Sequence, residues 1–190
     1  MPVSVQPARE LDSRSLLALA HPLRIRLLDS LTRGGPATAS QLAYTLGESS
    51  GATSYHLRIL ARHGFVVDEP DLGSKLERFW SAAAGGIHLR GFEFLNDETT
   101  RAATRVLVGE VHRQATDHLE RWFDESVNWP REWQEASTDH VYAVELDPAQ
   151  TSALRTELTA VMARYRKLPA GPSTRTVEVH INLFPTGDAR

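Results

Sequence analysis

The segment from Thr38 to Arg62, TASQLAYTLGESSGATSYHLRILAR, constrains the fold more than any other part of the chain. It predicts two short helices joined by a tight turn. Thr38 and Gln41 are spaced for a capping box at the start of the first helix, and Gly47 can end that helix in a left-handed conformation. An apolar stripe with helical spacing lies between them: Ala39, Leu42, Ala43 and Leu46.

The second helix of this segment has two different faces. Its inward face carries Thr53, Leu57, Leu60 and Ala61, and its outward face carries Ala52, Tyr55, Arg58 and Arg62, with Ser54 and His56 at the edge. Hydroxyls, an imidazole and guanidiniums reach base edges and phosphates when the N-terminal half of a helix enters a major groove. The outward face therefore indicates a DNA-binding helix, and an ordinary solvated helix face is the alternative.

The residues before this segment predict two further helices. A helical pattern runs from Ser13 to His21, and Pro22 fits the first position of a second helix, which Gly34-Gly35-Pro36 ends. The second helix directs Leu23, Leu27, Leu28 and Leu31 inward and leaves Arg24 and Arg26 largely outside.

After Gly64 the apolar period changes from helical to alternating. Residues 65–67 and 76–81 predict two strands, joined by the turn-rich segment 68–74. Three helices followed by a β-hairpin make a winged helix. Because the hairpin tip is acidic apart from Lys75, we expect Lys75 and Arg78 to contact the DNA backbone without reading bases.

Residues 13–81 carry a family resemblance. The segments ALAHPLRIRLLDSL and SQLAYTLGESSGATSYHLRILARHGFV resemble the ArsR-like winged helix-turn-helix transcriptional regulator family. The resemblance implies a dimeric regulator, often a repressor, that binds double-stranded DNA with the helix that begins after Ser49. Metal-sensing members often carry a Cys-x-Cys pair where this chain has Leu42-Ala43-Tyr44, and the chain has no Cys, so a thiolate sensor is excluded.

These observations predict the DNA contacts. We expect the major-groove contacts to come from Ser54, Tyr55, His56 and Arg58, and the phosphate contacts from Arg62, Lys75 and Arg78. Two such helices about one DNA turn apart would favour an imperfect inverted repeat.

The C-terminal half predicts a long helix and a small mixed unit. After a hinge at residues 82–86, a helical pattern from Asp97 to about Ser126 would be roughly 45 Å long and suits pairing with a second copy. Beyond Trp129-Pro130, alternation at 140–147, a helix starting at Asp147-Pro148 and alternation at 177–183 predict a strand-helix-strand unit.

The predicted fold class is α+β: an N-terminal winged helix-turn-helix, a long dimerisation helix and the strand-helix-strand unit. The predicted domains are a flexible tail at 1–12, a DNA-binding domain at 13–86, and a dimerisation and effector domain at 87–190. Residues 1–90 carry 10 basic and 8 acidic residues, and residues 91–190 carry 11 and 16, so the basic charge lies toward the DNA-binding half.

The sequence also bears on localisation, catalysis and metal binding. No membrane span or signal peptide is apparent, so we expect a cytoplasmic protein, and no catalytic motif or cofactor is indicated. The long helix carries four residues of types that bind metal ions, which a dimer could bring together: Glu110, His112, Asp117 and His118. Because His112 and His118 point in different directions around one helix, we predict no metal site.

Three alternatives remain open. A pocket near Trp122, Trp129 and Trp133, with polar residues Glu145, Glu178, His180 and Asn182, would bind a small-molecule effector. A solvent-facing role for those four polar residues is the simpler interpretation. The third is a winged-helix protein-interaction module without DNA binding, which the acidic hairpin tip and the net charge of −3 favour.

Overall fold

The computed structural model describes residues 9–72, 77–83, 87–88 and 92–187. In chain order the elements are β1 (Arg9–Glu10), α1 (Ser13–Leu19), α2 (Pro22–Gly34), β2 (Ala37–Thr38), α3 (Ala39–Leu46), α4 (Ser50–Arg62), β3 (Val66–Asp68), β4 (Phe79–Ala82), β5 (Ile87–His88), a 3-10 turn (Phe92–Leu95), α5 (Glu98–Glu125), a 3-10 turn (Ser126–Asn128), α6 (Arg131–Ala136) and α7 (Pro148–Tyr165). This order confirms the predicted α+β class with an N-terminal winged helix-turn-helix and a long helix. The chain divides into two units, Met1–Asp117 and His118–Arg190.

Polar caps set the starts of the first two helices. The Asp12 carboxylate accepts a hydrogen bond from the Ser15 backbone N–H at 2.7 Å, which satisfies one free donor of the first turn of α1. The imidazole Nδ1 of His21 accepts from the Leu23 N–H at 3.2 Å, and Pro22 occupies the first position of α2 as predicted.

The wing is an antiparallel sheet in the strand order β2-β4-β3. β3 and β4 confirm the predicted hairpin, with Val67 opposite Ser81. β2, which pairs Ala37 with Trp80, was not predicted. Residues 73–76 of the hairpin tip, Lys75 among them, lie outside the described residues, as do residues 84–86 of the predicted hinge.

The segment 9–12 departs from the predicted flexible tail. β1 pairs in parallel with β5, with Arg9 opposite Ile87, and the side chain of Leu11 is buried. Burial of a leucine contributes about 1.5–3 kcal/mol, which holds this stretch on the domain. Residues 1–8 of the predicted tail lie outside the described part of the chain.

One hydrophobic core holds the first unit together. It contains Leu11, Leu16, Leu19, Leu23, Ile25, Leu27, Leu31, Leu42, Leu57, Leu60, Phe65, Val66, Trp80, Phe94, Ala103 and Leu107. α2 buries Ile25 where the sequence pattern predicted Leu28, which is only partly buried. Because α1, α2, α4, the wing and the start of α5 all contribute to this core, α4 is fixed relative to the wing.

The second unit contains the predicted helix but lacks the predicted strands. α7 begins with a capping box, in which Asp147 and Gln150 exchange hydrogen bonds of 2.8 and 2.9 Å. The flanking segments 140–147 and 177–183 belong to neither of the two sheets that the described residues form, so the strand assignment is corrected. A strand needs a neighbouring strand for its backbone hydrogen bonds, and alternation of side chains does not supply one.

No described helix combines the length and the apolar character that crossing a membrane would require.

Candidate DNA-binding surface

The turn between α3 and α4 is built by local chemistry. The Thr38 hydroxyl and the Gln41 side chain form the predicted capping box at the start of α3, with bonds of 3.2 and 2.8 Å. Gly47 ends α3 at φ 67° and ψ 33°, in the left-handed region that favours glycine. The Ser49 hydroxyl then accepts from the Ala52 N–H at 3.2 Å and caps α4.

Arg26 of α2 reaches this turn. Its Nη2 donates to the Leu46 backbone carbonyl at 2.7 Å, and its Nη1 lies 3.4 Å from the Glu48 carboxylate. The sequence pattern placed Arg26 largely outside, and the structure shows it half-buried as a brace between α2 and the α3–α4 turn. Only the contact across 20 residues of sequence reveals this role.

The inward face of α4 is fully buried. Thr53, Leu57 and Leu60 have no solvent exposure and confirm the predicted inward face. The Thr53 hydroxyl is also buried, and it has no hydrogen-bond partner within the described part of the chain. The orientation of α4 is therefore set by packing, because any rotation would expose this apolar stripe.

The outward face of α4 brings a tyrosine and two arginines into one row. Tyr55 is 59% exposed, and Arg58 and Arg62 are exposed on the same side of the helix. No ion pair joins Arg58 or Arg62 to an acidic residue within the described ranges. Both guanidiniums are therefore available to a polyanion. Ser54, at the edge of this face, is half-buried.

His56 is turned toward the protein. Its ring lies 4.4 Å from the ring of His21 and 5.1 Å from that of Tyr55, centroid to centroid. Its Nδ1 is buried and has no hydrogen-bond partner among the residues described. Burial lowers the pKa of His56, the neighbouring His21 and Arg24 lower it further, and Glu48 opposes them. The imidazole of His56 is therefore neutral near pH 7.

Arg24 belongs to the same cluster, which comprises His21, Arg24, Tyr55 and His56. Its Nε is buried without a hydrogen-bond partner in the described chain, and burial lowers the pKa of its guanidinium, an effect that the nearby Tyr55 opposes. The sequence pattern placed Arg24 largely outside, whereas the structure holds it half-buried beside the proposed groove-reading face.

Another exposed aromatic residue was missed at the sequence level. Tyr44 of α3 is 91% exposed, three residues before Gly47. Its position off the apolar stripe of α3 is the only signal that the sequence gives of it.

The wing holds Arg78 in two contacts. The Arg78 Nε lies 3.1 Å from the Asp68 carboxylate, and its guanidinium lies 5.4 Å from the centre of the Trp80 ring. Arg78 remains exposed, so a phosphate would compete with Asp68 for it. Lys75, the other predicted wing contact, lies outside the described residues.

The residues considered as metal ligands contact other side chains or the backbone. Arg113 bonds to the carboxylates of Glu110 and Asp117, at 2.5 and 2.6 Å, and the His118 imidazole lies 3.1 Å from Glu178. The His112 Nδ1 lies 2.8 Å from the Val108 carbonyl. The described residues contain no group of three or more side chains arranged to bind a metal ion.

The tryptophans of the second unit form a chain of edge-on contacts. The rings of Trp122 and Trp129 are 5.5 Å apart, and those of Trp129 and Trp133 are 6.3 Å apart. An open cleft of about 270 Å³ lies beside them. It is lined by Leu119, Trp122, Phe123, Ser126, Val127, Gln134, Ser137, Thr138 and Asp139. The four polar residues considered as a pocket lining, Glu145, Glu178, His180 and Asn182, are exposed and do not line it.

Comparison with protein families identifies the domain that these elements form. Residues 19–69 match the family model described as a helix-turn-helix domain. The matched range covers α2, α3, α4 and the first strand of the wing hairpin. It shows that this part of the chain is a helix-turn-helix domain, a class of domain found in DNA-binding transcriptional regulators, and it lies within residues 13–81, which carry the ArsR-like resemblance.

Solved structures give weaker similarities. HlyU from Vibrio cholerae is 24% identical, covers 38% of this chain and 76% of its own, and has a TM-score of 0.33. NolR from Sinorhizobium fredii is 27% identical over 38% and 69% of the two chains, with a TM-score of 0.33. The homodimeric winged helix-turn-helix DNA-binding domain of Mb0332 from Mycobacterium bovis is 20% identical over 58% and 84%, with a TM-score of 0.34. A search of curated proteins finds no match to the sequence.

Proposed function

We propose that the protein is a homodimeric, sequence-specific repressor that reads an imperfect inverted repeat with α4. One observation carries the proposal: α4 is fully buried along Thr53, Leu57 and Leu60, and it presents Tyr55, Arg58 and Arg62 to solvent. A rigid helix whose outer guanidiniums form no ion pair with any described residue suits the major groove. Because Arg and the groove edge of guanine match in geometry, Arg58 is the principal candidate for base reading.

The remaining contacts divide by chemistry. In this proposal Ser54, Tyr55 and Arg58 face base edges, Arg62, Lys75 and Arg78 face phosphates, and His56, whose ring is turned toward His21, acts from the edge of the helix. His56 contributes through its edge position and through the Tyr55 ring that it supports at 5.1 Å. Arg78 contributes after it exchanges Asp68 for a phosphate.

A dimer would bind DNA more tightly than one weakly basic domain. We assign DNA binding to residues 13–86 and dimerisation to residues 87–190. Residues 1–90 carry a net charge of only +2, and one domain offers three phosphate contacts in this proposal, so counterion release from a single domain is limited. A dimer doubles the phosphate contacts and places two copies of α4 about one DNA turn apart, which favours a two-fold symmetric site.

One observation favours a second function, a protein-interaction module. Asp68, Glu69 and Asp71 make the start of the wing acidic, and Asp68 neutralises Arg78. A wing of this charge would bind a basic protein surface and would repel phosphates. Binding of random-sequence DNA at low salt separates the two functions, because the interaction module would not be retained on such DNA.

A small-molecule effector would extend the first proposal. The cleft beside Trp122 is the candidate site in the second unit, since its mixed apolar and polar lining suits an uncharged aromatic ligand. A thermal-shift screen tests this point, because a ligand that binds the folded state raises the Tm.

The main experiment is selection of genomic fragments by purified full-length protein. We expect enrichment of one two-fold symmetric site by the wild type. Arg58→Ala should lose on the order of 1–3 kcal/mol of binding free energy on that site. Arg105→Ala is the matched control, because Arg105 is an exposed arginine on α5 away from α4, and it should bind like the wild type. Equal binding by both variants would remove Arg58 from the site, and no enrichment by folded wild type would overturn the proposal.

A further inference from the structure

The second unit has no core of its own. None of the described residues from His118 to Gly187 is buried, and the apolar stripe of α7, Leu154, Leu158 and Met162, is only half-buried. A segment of this size normally buries more than half of the surface that its unfolded chain exposes. Within a single chain, the apolar side chains of this unit therefore have few packing partners.

Two extended segments carry most of the exposed apolar side chains of this unit. Val141, Val144 and Leu146 lie on the first, and Val177, Val179, Ile181 and Leu183 lie on the second. Val141 is 95% exposed and Val177 is 64% exposed. Both segments have the alternation of a half-buried strand, yet neither joins a sheet in the described chain.

Large apolar side chains are exposed throughout the second unit. Fifteen large apolar side chains of this unit are exposed: Leu119, Phe123, Val127, Val141, Tyr142, Val144, Leu146, Val161, Tyr165, Leu168, Val177, Val179, Ile181, Leu183 and Phe184. A standard protein interface takes about 800 Å² from each partner, and side chains of this number and size can supply it.

We infer that the 141–146 and 177–183 segments become strands of a sheet shared with a second copy of this chain, with the two 177–183 segments antiparallel at the two-fold axis. The inference deepens the homodimer of the proposed function by assigning its surface. A unit without buried residues needs its partner in order to fold, and a second copy is the one partner present whenever the chain is made.

The sequence of the 177–183 segment is self-complementary. Antiparallel pairing about Val179 places Val177 opposite Ile181 of the second copy and keeps all apolar side chains on one face. The same register places Glu178 opposite His180, and a carboxylate can accept a hydrogen bond from an imidazole across a strand pair. Glu178 already lies 2.6 Å from His180 within one chain, so the two groups are compatible in charge and reach.

The test measures the mass and the backbone protection of the full-length protein. We expect a dimer by light scattering at micromolar concentration, with slow hydrogen exchange at the amides of 177–183. Ile181→Asp places a charge on the apolar face and should give a monomer with fast exchange there. Asn182→Asp adds the same charge on the opposite face and should remain a dimer. Thermal unfolding of the winged helix serves as the check that both variants keep the fold of the first unit.

Three results would overturn the inference. They are a wild-type monomer at every concentration, a wild-type dimer with unprotected 177–183 amides, and an Ile181→Asp variant that remains a dimer. DNA binding by the same samples separates this inference from the proposed function. A wild-type dimer that binds no DNA overturns the function alone, and a wild-type dimer that binds DNA but leaves the 177–183 amides unprotected overturns the shared sheet alone.

Discussion

The rings of His21 and His56 lie 4.4 Å apart, inclined at 38°, and join the start of α2 to the proposed DNA-reading helix α4. His21 also caps α2 through Nδ1, which accepts from the Leu23 N–H. An Nδ1 that accepts a hydrogen bond carries no proton, so the cap requires the neutral imidazole. The contact therefore links the protonation state of the α2 N-cap to the packing of α4.

Folding stability should decrease in mild acid because of these two residues. Burial lowers the pKa of His21 below its ordinary value of 6.5, as it does for His56, and Arg24 adds to both shifts. Below pH 6.5 the unfolded chain then binds more protons than the folded chain. The contribution of these two histidines to folding stability is therefore fully present above pH 6.5, and it is lost as the pH falls toward their pKa values in the folded protein. Urea unfolding across a pH series measures the effect.

The control for this prediction is the double variant His21→Asn, His56→Gln. Asparagine preserves an N-cap acceptor at position 21, so the variant removes the titration without removing the cap. Its free energy of unfolding should fall less steeply below pH 6.5 than that of the wild type. Parallel curves for the two proteins would assign the acid sensitivity to other groups.

Thr53→Val should stabilise the protein. The Thr53 hydroxyl is buried without a hydrogen-bond partner among the described residues, and valine has the same shape without the polar group. Removing an unsatisfied buried hydroxyl should raise the free energy of unfolding by about 1 kcal/mol. Denaturant unfolding measures this, with Thr53→Ser as the matched control that keeps the hydroxyl and loses the methyl group. A destabilised valine variant would show that the hydroxyl is satisfied in solution.

Arg26→Met should loosen the α3–α4 turn. The substitution keeps an unbranched apolar side chain and removes the hydrogen bond of 2.7 Å to the Leu46 carbonyl, at a cost of about 1 kcal/mol in stability. Glu48→Gln removes only the ion pair at 3.4 Å, which is about one-third exposed and should contribute well under 1 kcal/mol. If Glu48→Gln costs as much as Arg26→Met in denaturant unfolding, the ion pair is the brace.

Local chemistry explains which parts of the fold the sequence predicted. The capping boxes at Thr38 and Asp147 and the left-handed Gly47 each involve residues within one helical turn, so their spacing identifies them. The outward face of α4 followed from the helical period in the same way. These features need no knowledge of distant residues.

Features that depend on distant partners were not predicted. β2 has two residues and exists only because Ala37 meets Trp80, and the His21–His56 contact joins residues 35 positions apart. The segment 177–183 shows the converse, because its alternation predicted a strand that the single chain does not form. The side-chain pattern indicates that a segment tends to form a strand. Whether the segment pairs depends on the segments that lie beside it.

Asp68→Asn should strengthen DNA binding if the wing contacts phosphates as proposed. The Asp68 carboxylate holds Arg78 at 3.1 Å, and the amide would release that guanidinium to a phosphate. Each added phosphate contact should steepen the slope of log affinity against log salt by about 0.9. Affinity for the selected site should rise about three- to tenfold at low salt. Titration of labelled DNA at a series of salt concentrations gives both quantities.

Asp71→Asn separates release of Arg78 from a general change of charge. Asp71 is an exposed wing carboxylate outside the Asp68–Arg78 pair, so its amide removes the same negative charge and leaves Arg78 held. The steeper salt slope should therefore appear in Asp68→Asn and be absent from Asp71→Asn. The double variant Asp68→Asn, Arg78→Ala should return to the slope of the wild type, because the released cation is gone. Equal slopes in the two single variants would mean that the wing acts through its net charge and that Arg78 touches no phosphate.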